Sequence, residues 1–559
     1  MKKLPYGVSD YERLKENDYY YVDKTMYIEK LENLAEPYIM FLRPRKFGKT
    51  LFTSTLENYY DFKKTNKFEE LYGDTYIGKN PTKLRNSYYI LKFNFSGIDT
   101  TDEETTIKGF KSKVASSIKM FVEKYELDFY INMQDEAENI LDNLIKAFNI
   151  QKKGEKIYVI IDEYDHFANE LLGFNTNQFK SLVSKNGKVR KWYEILKEGT
   201  ESVIDRIFIT GVAPITLDSL TSGFNISSDK TQDERFNEMM GFTEIELRKL
   251  MSEQNISEEK QEEIIPVMRE NYDGYRFSIH GKEKIYNSNM CLYFLNNYIS
   301  FGRIPDQLID VNIASDYNKL GKMLDLCKGE EREKVIEKTV SGEGIVSDIR
   351  QKFNPAIEFT EIDLVSMLFY LGYLTIEGDE VGYPKLNIPN NVMKEIYSDY
   401  FLKILREEIK VDINENYSEI AREIAIEGKI DKIVEMLQTY LKNLSNRDYV
   451  KFDEKYVKLI FFCIAMNLKI FRLKSEMEVQ RKYPDILLIP KDQSKGYKGV
   501  MIEFKYLKKD EAEKLKEKQE EAKKQIEEYG NFEEIKELKD IYKYTVVAVN
   551  DEIYVEKIG

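Results

Sequence analysis

The sequence predicts an α/β protein in three parts, and three observations carry that reading. Residues 1–245 alternate short β-branched or aromatic runs with helical patterns. Residues 246–410 read mostly as helix. Residues 411–559 begin with helices and close on strand, strand, helix, strand. A length of 559 residues suits about three domains at ~100–200 residues each.

In the first part the predicted strands are Pro37–Leu42, Tyr88–Phe95, Lys156–Ile161 and Asp205–Thr210, with helices such as Gly48–Tyr60 and Thr105–Tyr125 between them. In the second, Phe359–Tyr373 reads as a helix opened by a capping signal at Thr360. Two short strands around a Gly/Asp turn follow it, up to Pro389. A helix followed by a hairpin is how a winged-helix module ends, so this part is expected to be a helical lid with a winged-helix-like module. In the third part the strands are Tyr483–Ile489, Lys498–Lys505, Tyr544–Val549 and Ile553–Lys557, around a charged helix over Asp510–Tyr529.

Composition excludes several classes. Lys+Arg number 84 against 98 Asp+Glu, a net charge of −14, with 42% hydrophobic and 13% aromatic residues. That supports real cores and rules out a disordered chain. The acidic balance opposes a surface that grips nucleic acid everywhere, but not a local basic cleft. Cys291, Cys327 and Cys463 lie far apart, and His166 and His280 are the two histidines. A disulfide framework, a cysteine zinc site and a multi-histidine metal site are therefore not expected. Metal chemistry would fall to carboxylates and ions such as Mg²⁺. No apolar stretch follows the N-terminal lysines, and the greasiest run, Leu459–Met466, is far shorter than the ~20 residues of a membrane span. A soluble cytoplasmic protein with no membrane partner is expected.

The first chemical signal is Phe41–Thr50 (FLRPRKFGKT), which follows a strand and opens a helix. Gly-Lys-Thr at that junction ends a phosphate-binding loop. Gly48 admits the phosphates to the backbone and the helix start offers free N–H groups. Lys49 reaches the β/γ phosphates, and the Thr50 hydroxyl can ligate Mg²⁺. Arg45, Lys46 and Phe47 complete the loop, and Arg43 stands where the strict pattern has its first glycine. Arg43, Arg45 and Lys46 make the loop strongly basic. Alone, the triplet is equally a helix start with no ligand. Ile157–Ile161 then runs into Asp162 and Glu163, as does a strand lying beside such a loop. Asp162 would orient the Mg²⁺ water shell and Glu163 would polarise the attacking water. A third strand ends in Thr210-Gly211, where a polar residue can sense a γ-phosphate or simply close the strand. The combination predicts binding of ATP with Mg²⁺.

Leu4–Tyr11 (LPYGVSDY), Tyr21–Thr25 (YVDKT), Phe41–Leu51, Ile161–Asp165 (IDEYD), Asn271–Phe277 (NYDGYRF) and Ile388–Asn390 (IPN) resemble the AAA-ATPase-like domain family of bacterial proteins. The resemblance spans roughly residues 4–300, with echoes to about 400. It implies a divergent P-loop ATPase in which Arg habitually replaces the first glycine. It also implies a C-terminal PD-(D/E)XK nuclease domain as the usual partner.

The second signal is Asp485, Glu503 and Lys505. Asp485 lies near the start of one predicted strand, and Glu503-Phe504-Lys505 ends the next. Residues two apart on a strand share a face, so Glu503 and Lys505 point together while Phe504 points into a core. Asp485 and Glu503 would hold Mg²⁺ or Mn²⁺ with the Phe504 carbonyl, and Lys505 would orient or activate the attacking water. Glu-x-Lys alone is also an ordinary cross-strand pair. The full spacing, P-D-x(17)-E-F-K, resembles the PD-(D/E)XK nuclease superfamily over about 470–559. That resemblance implies a restriction-endonuclease-like α/β fold, Gln525 near the scissile phosphate, and Glu476 as a further acidic ligand. Two departures touch substrate handling: Arg481–Asp485 lacks the Gly-Arg-x-Asp pattern, and Lys455-Tyr456-Val457 lacks the histidine of a Tyr-His pair.

Three smaller features complete the reading. His166 is read as a helix-start residue and Asp23-Lys24 as neighbours of the nucleotide base. Arg276 is a turn-anchoring salt bridge or a sensor arginine. The expected function is an ATP-binding, metal-dependent nuclease, with ATPase and Mg/Mn-dependent nuclease activities. Its first part gates a C-terminal phosphodiesterase site acting on DNA or RNA; a homo-oligomer is compatible with this. The alternative is a nucleotide-dependent switch or scaffold whose nuclease-like domain binds without cleaving.

Overall fold

The computed structural model describes residues 2–167, 187–214, 225–310, 320–324, 330–353, 359–409, 416–444, 453–474, 484–536, 538 and 540–559. Glu476 lies outside them. The chain divides into two compact units, residues 1–332 with 345–392, and residues 333–344 with 393–559.

The first unit is built on five parallel strands, β1 (Tyr38–Leu42), β2 (Tyr89–Asn94), β3 (Ile157–Asp162), β4 (Ile204–Gly211) and β5 (Ser228–Asp229), in the order β2-β3-β4-β1-β5. Four of them fall within a residue or two of the predicted runs. β4 pairs with both β3 and β1 and lies between them. Asp162 still ends at the same sheet edge as the loop, since side-by-side parallel strands present all their carboxyl ends together.

Helices α1 (Lys49–Tyr60), α2 (Glu103–Tyr125), α3 (Ala137–Gln151) and α4 (Lys188–Gly199) cover the sheet. α2 shows why such segments are helical. Asp102 caps it by accepting the Thr105 N–H at 2.8 Å, and Glu103 and Glu104 favour its positive end. Phe110, Val114, Ile118, Phe121 and Tyr125 form one buried stripe. Trp192 of α4, fully buried, meets Phe93, Phe95 and Phe110 edge-on at 4.9, 5.6 and 5.6 Å. The single tryptophan thus pins α2 and α4 onto β2.

The helical remainder of this unit includes α5 (Glu258–Tyr272), β6 (Ile345–Val346), α6 (Glu361–Tyr370) and the hairpin β7 (Thr375–Glu380) and β8 (Tyr383–Asn387). Thr360 and Asp363 close a capping box on α6, as the sequence signal predicts. β6 adds to β8, making a three-stranded antiparallel sheet, β6-β8-β7. Two of the sequence motifs meet here. Gly274 takes a φ of +100°, and a Cβ on it would collide with the Pro389 carbonyl. Asn390 Nδ2 donates to the Asp273 carbonyl at 2.8 Å.

Asp273 carries a pH prediction. Burial pushes its carboxyl up from 3.8 to about 6, against the pull of the Gly274 N–H and Lys284, and its Oδ1 is buried without a hydrogen-bond partner. The folded chain keeps this proton where the unfolded chain has lost it. Stability therefore falls as pH rises from about 4 to about 6. Asp273→Asn removes that loss. Relative to wild type, the variant should gain ~3 kcal/mol between pH 4 and pH 7 in urea unfolding, at 1.36 kcal/mol per pKa unit.

The second unit carries the mixed sheet β13-β12-β11-β10-β9, formed by β9 (Phe471–Lys474), β10 (Ile486–Pro490), β11 (Gly499–Leu507), β12 (Ile541–Val549) and β13 (Glu552–Ile558). β11 and β12 run parallel, and the other neighbours are antiparallel. The crossover between the parallel pair contains α8 (Leu515–Tyr529), as parallel pairing requires. α8 packs Ile526 and Tyr529 onto Leu487 and Met501. α7 (Glu454–Met466) lies on the opposite face, with Phe461 stacked on Phe504 at 6.3 Å. No helix among the described residues is long and apolar enough to cross a membrane.

Candidate functional site

The loop between β1 and α1 is gripped from several sides of the first unit. Phe47 is buried between Tyr275 and Phe277, with ring centroids at 4.9 and 5.5 Å. Its carbonyl accepts the Gly241 N–H at 3.1 Å. Lys46 holds a left-handed φ of 68°, unusual outside glycine, and its carbonyl accepts Ser288 Oγ at 3.3 Å and the Asn289 N–H at 3.4 Å. Gly48, at φ +93°, turns the chain into α1. The Tyr275–Phe277 part of the Asn271–Phe277 motif is thus a clamp on the loop. Arg276 donates Nε to the Ile376 carbonyl at 3.0 Å, tying it to β7, and its Nη2 is buried without a hydrogen-bond partner among the described residues.

Arg43 corrects part of the sequence reading. It does not add to the basic face of the loop. Its guanidinium is buried, donating to the carbonyls of Leu42, Thr231 and Phe236 at 2.9 Å and stacking on Phe41 and Phe277 at 4.1 Å. Burial lowers it to about 9, against Asp229 and Tyr27. Arginine replaces glycine because the side chain ties the loop to the 231–237 segment. Arg43→Gly would restore the strict motif yet should destabilise the chain by about 3–5 kcal/mol, by orphaning buried carbonyls; thermal unfolding checks this.

Lys49 is buried, and its ammonium donates to the carbonyls of Arg43 and Pro44, both at 3.0 Å. Burial pushes its pKa down, while Glu163, Asp165 and Asp162 push back. Asp162 is fully buried. Asn94 Nδ2 approaches its Oδ2 at 3.4 Å, and its Oδ1 has no hydrogen-bond partner among the described residues. Burial and Glu163 raise its carboxyl, and Thr50, Lys49 and Lys92 oppose them. Glu163 has a left-handed φ of 54° at the strand end. Burial would raise its carboxyl, but His166, Lys49 and Arg45 pull it down to about 2. His166 Nδ1 lies 3.6 Å from Glu163 Oε2.

The rest of that acidic run is structural. Asp165 accepts the Val212 and Ala213 N–H groups at 3.0 and 2.7 Å, and Tyr164 donates to the Ala213 carbonyl at 2.7 Å. A Cβ on Gly211 would strike Asp165 and Tyr164, so the glycine after Thr210 is a packing requirement. Thr210 is fully buried and donates to the Phe41 carbonyl at 2.8 Å. The structure does not bring it into the loop's cavity.

That cavity has a volume of about 470 Å³, within the usual ~300–1,000 Å³ of small-molecule sites. Arg45, Lys46, Phe47, Gly48, Lys49 and Thr50 line one part, with Glu163, His166 and Asn94. Val8, Tyr20, Tyr21, Val22, Phe242 and Leu292 supply an apolar part that motif reading did not assign. Val8, Tyr21 and Val22 fall within the N-terminal motifs, whereas Tyr20, Phe242 and Leu292 fall within none. Lys24 lines the cavity but gives its ammonium to the Glu238 carbonyl at 2.8 Å and to Glu246 at 2.6 Å. Asp23 accepts from Thr25 and from the Tyr76 N–H.

In the second unit, Asp485, Glu503 and Lys505 are all buried. β10 and β11 pair Ile486 with Ile502, which sets Asp485 beside the carboxyl half of β11. Asp485 Oδ2 accepts the Phe504 N–H at 2.7 Å, and Lys505 donates to Glu503 Oε1 at 2.9 Å. Burial and Asp485 raise Glu503 to about 7, with Lys505 and Lys458 opposing. Glu503 Oε2, the hydroxyl of Thr545 opposite it on β12, and Gln525 Oε1 on α8 are each buried without a hydrogen-bond partner among the described residues. No hydrogen bond joins Gln525 to the three. Sequence reasoning missed Lys458 of α7, which lies 2.7 Å from Asp485 Oδ1 and 2.9 Å from Glu454. Its only signal was helical spacing from Glu454. Among the described residues no three His, Cys, Asp or Glu side chains group to hold a metal. Two carboxylates with an orphaned buried oxygen nevertheless suit a hard divalent cation.

Residues 5–221 match the family described as predicted AAA-ATPase, and residues 452–558 match the PD-(D/E)XK nuclease superfamily. The first match contains the whole Arg43–Thr50 loop with Asp162 and Glu163, and the second contains Lys458, Asp485, Glu503 and Lys505. The chain is also similar to an "Uncharacterized protein in vnfD 5'region" of Azotobacter chroococcum mcd 1, at 23% identity over 381 residues. That match covers 67% of this chain and 64% of the relative's length.

Proposed function

We propose that the chain is an ATP-binding, metal-dependent nuclease whose nucleotide state gates a phosphodiesterase site acting on DNA or RNA. The single observation that carries the reading is Asp485 brought beside the Lys505–Glu503 pair, with one Glu503 oxygen unpartnered, in a region matching the nuclease superfamily. ATP would take the cavity at Lys49, its phosphates over the basic loop and its base against the apolar part. Thr50 and Asp162 would hold the accompanying Mg²⁺, and the orphaned Asp162 oxygen suits its water shell. Glu163, kept ionised by His166, Lys49 and Arg45, is placed to polarise a water for γ-phosphate attack.

At the second site Asp485 and Glu503, with the Phe504 carbonyl, would hold Mg²⁺ or Mn²⁺. The ion would supply Lewis-acid polarisation of the phosphate. Lys505, which donates to Glu503, would orient the attacking water while offsetting charge on the phosphate. Gln525 would contact the scissile phosphate from α8. The gate would be the helical part of the first unit, including the three-stranded sheet with its winged-helix-like hairpin.

Wild-type chain with Mg²⁺ or Mn²⁺ should turn over ATP and cut plasmid or RNA, and Lys505→Ala should cut at least ~100-fold more slowly. Equal cutting by the two would refute the nuclease reading. A second reading is a nucleotide-dependent switch or scaffold that binds nucleic acid without cutting. It is favoured by Asp485 having both oxygens engaged. Mn²⁺ titration separates the two, because a scaffold needs no metal.

A further inference from the structure

Lys458 reaches from α7 into the nuclease-like site, one turn after Glu454. Its ammonium bridges Asp485 Oδ1 at 2.7 Å and Glu454 Oε1 at 2.9 Å. Each of these carboxylates spends its other oxygen on the backbone of β11. Asp485 Oδ2 takes the Phe504 N–H at 2.7 Å, and Glu454 Oε2 takes the Tyr506 N–H at 3.4 Å. Glu503 gives one oxygen to Lys505 and keeps the other without a partner. One position between two carboxylates is therefore already filled by a positive charge, and that charge belongs to the protein.

We propose that the Lys458 ammonium is a resident cation that holds Asp485 in place until a divalent ion exchanges for it. The proposal rests on the reading of this site as metal-dependent. A divalent ion held by Asp485 and Glu503 would find Glu503 Oε2 without a partner but would have to share Asp485 Oδ1 with the Lys458 ammonium. A double and a single positive charge a few ångströms apart in a half-buried site repel strongly. The lysine therefore weakens metal binding and keeps the metal-free carboxylates from repelling each other. The exchange leaves no stranded charge, because Glu454 remains an anion for the displaced ammonium and the Lys458 side chain keeps 20% of its surface exposed. Lys458 is a positioning residue: it acts through Asp485.

The test titrates the full-length, metal-free chain with Mn²⁺ in a calorimeter, as wild type, Lys458→Met and Lys458→Arg. Methionine keeps the length and removes the charge, so it should bind Mn²⁺ about tenfold more tightly than wild type. Arginine keeps the charge and should stay within about threefold. A lysine that merely braced the fold would give weaker binding on removal, not tighter. Equal or weaker binding by Lys458→Met, with wild type binding normally, overturns this inference and leaves the nuclease reading standing. Absence of Mn²⁺ binding in all three overturns both. If Lys458→Met misfolds by circular dichroism, Lys458→Gln takes its place. Misfolding of both marks a structural tie and overturns the inference as well.

Discussion

Replacing Lys49 by methionine should lower ATP affinity at least ~100-fold while the chain stays folded, since about 3 kcal/mol of phosphate–ammonium interaction is lost. The size follows from burial. The ammonium is buried on two loop carbonyls, near Glu163, Asp165 and Asp162. In such a setting a charge-assisted hydrogen bond is worth roughly twice a neutral one. The folded chain loses some stability too, because two buried carbonyls and the nearby Asp162, Glu163 and Asp165 lose their cation. Calorimetry with a non-hydrolysed ATP analogue, alongside a thermal melt, separates the two effects. Unchanged affinity with an unchanged melt would show that nucleotide does not use this loop.

Glu503→Gln should abolish the Mn²⁺ binding signal and slow cleavage by about 10³, the order seen when a group stabilising transition-state charge is removed. The amide keeps the shape of the side chain and changes only its charge. Glu503 has one oxygen on Lys505 and the other without a partner, so the carboxylate is the group in the site with an uncommitted lone pair. Asp485 alone is the weaker ligand, as each of its oxygens already accepts from Lys458 or the Phe504 N–H. Binding and cutting should fail together. Retained cleavage in Glu503→Gln, measured on plasmid and RNA, would move the chemistry elsewhere.

Much of the fold was legible because β1 to β4 of the first sheet are short apolar runs and helices such as α2 and α6 start on a capping residue. β1, β2 and β4 follow those runs closely, and α6 opens at Thr360 as its capping signal predicts. The candidate residues were legible for a related reason. Gly48-Lys49-Thr50 and Glu503-Phe504-Lys505 are local patterns, in which the chain's own geometry sets which side chains share a face. What no local pattern encodes is which distant segment fills the space around them. Arg43 reads as one more loop cation, yet it is a buried brace, because the carbonyls of Thr231 and Phe236 lie within its reach. Thr210 reads as a phosphate sensor or a plain strand end, and its hydroxyl donates to the Phe41 carbonyl of the paired strand β1.

By itself the sequence determined where the strands and helices lie and which side chains stand at the ends of them, since both depend on periodicity and on residues a few positions apart. The tertiary structure alone decided that β4 separates β3 from β1, that Tyr275 and Phe277 clamp the loop, and that Lys458 sits on Asp485. Those facts depend on pairings between residues tens to hundreds of positions apart, where burial and charge compensation are settled by the whole packed chain.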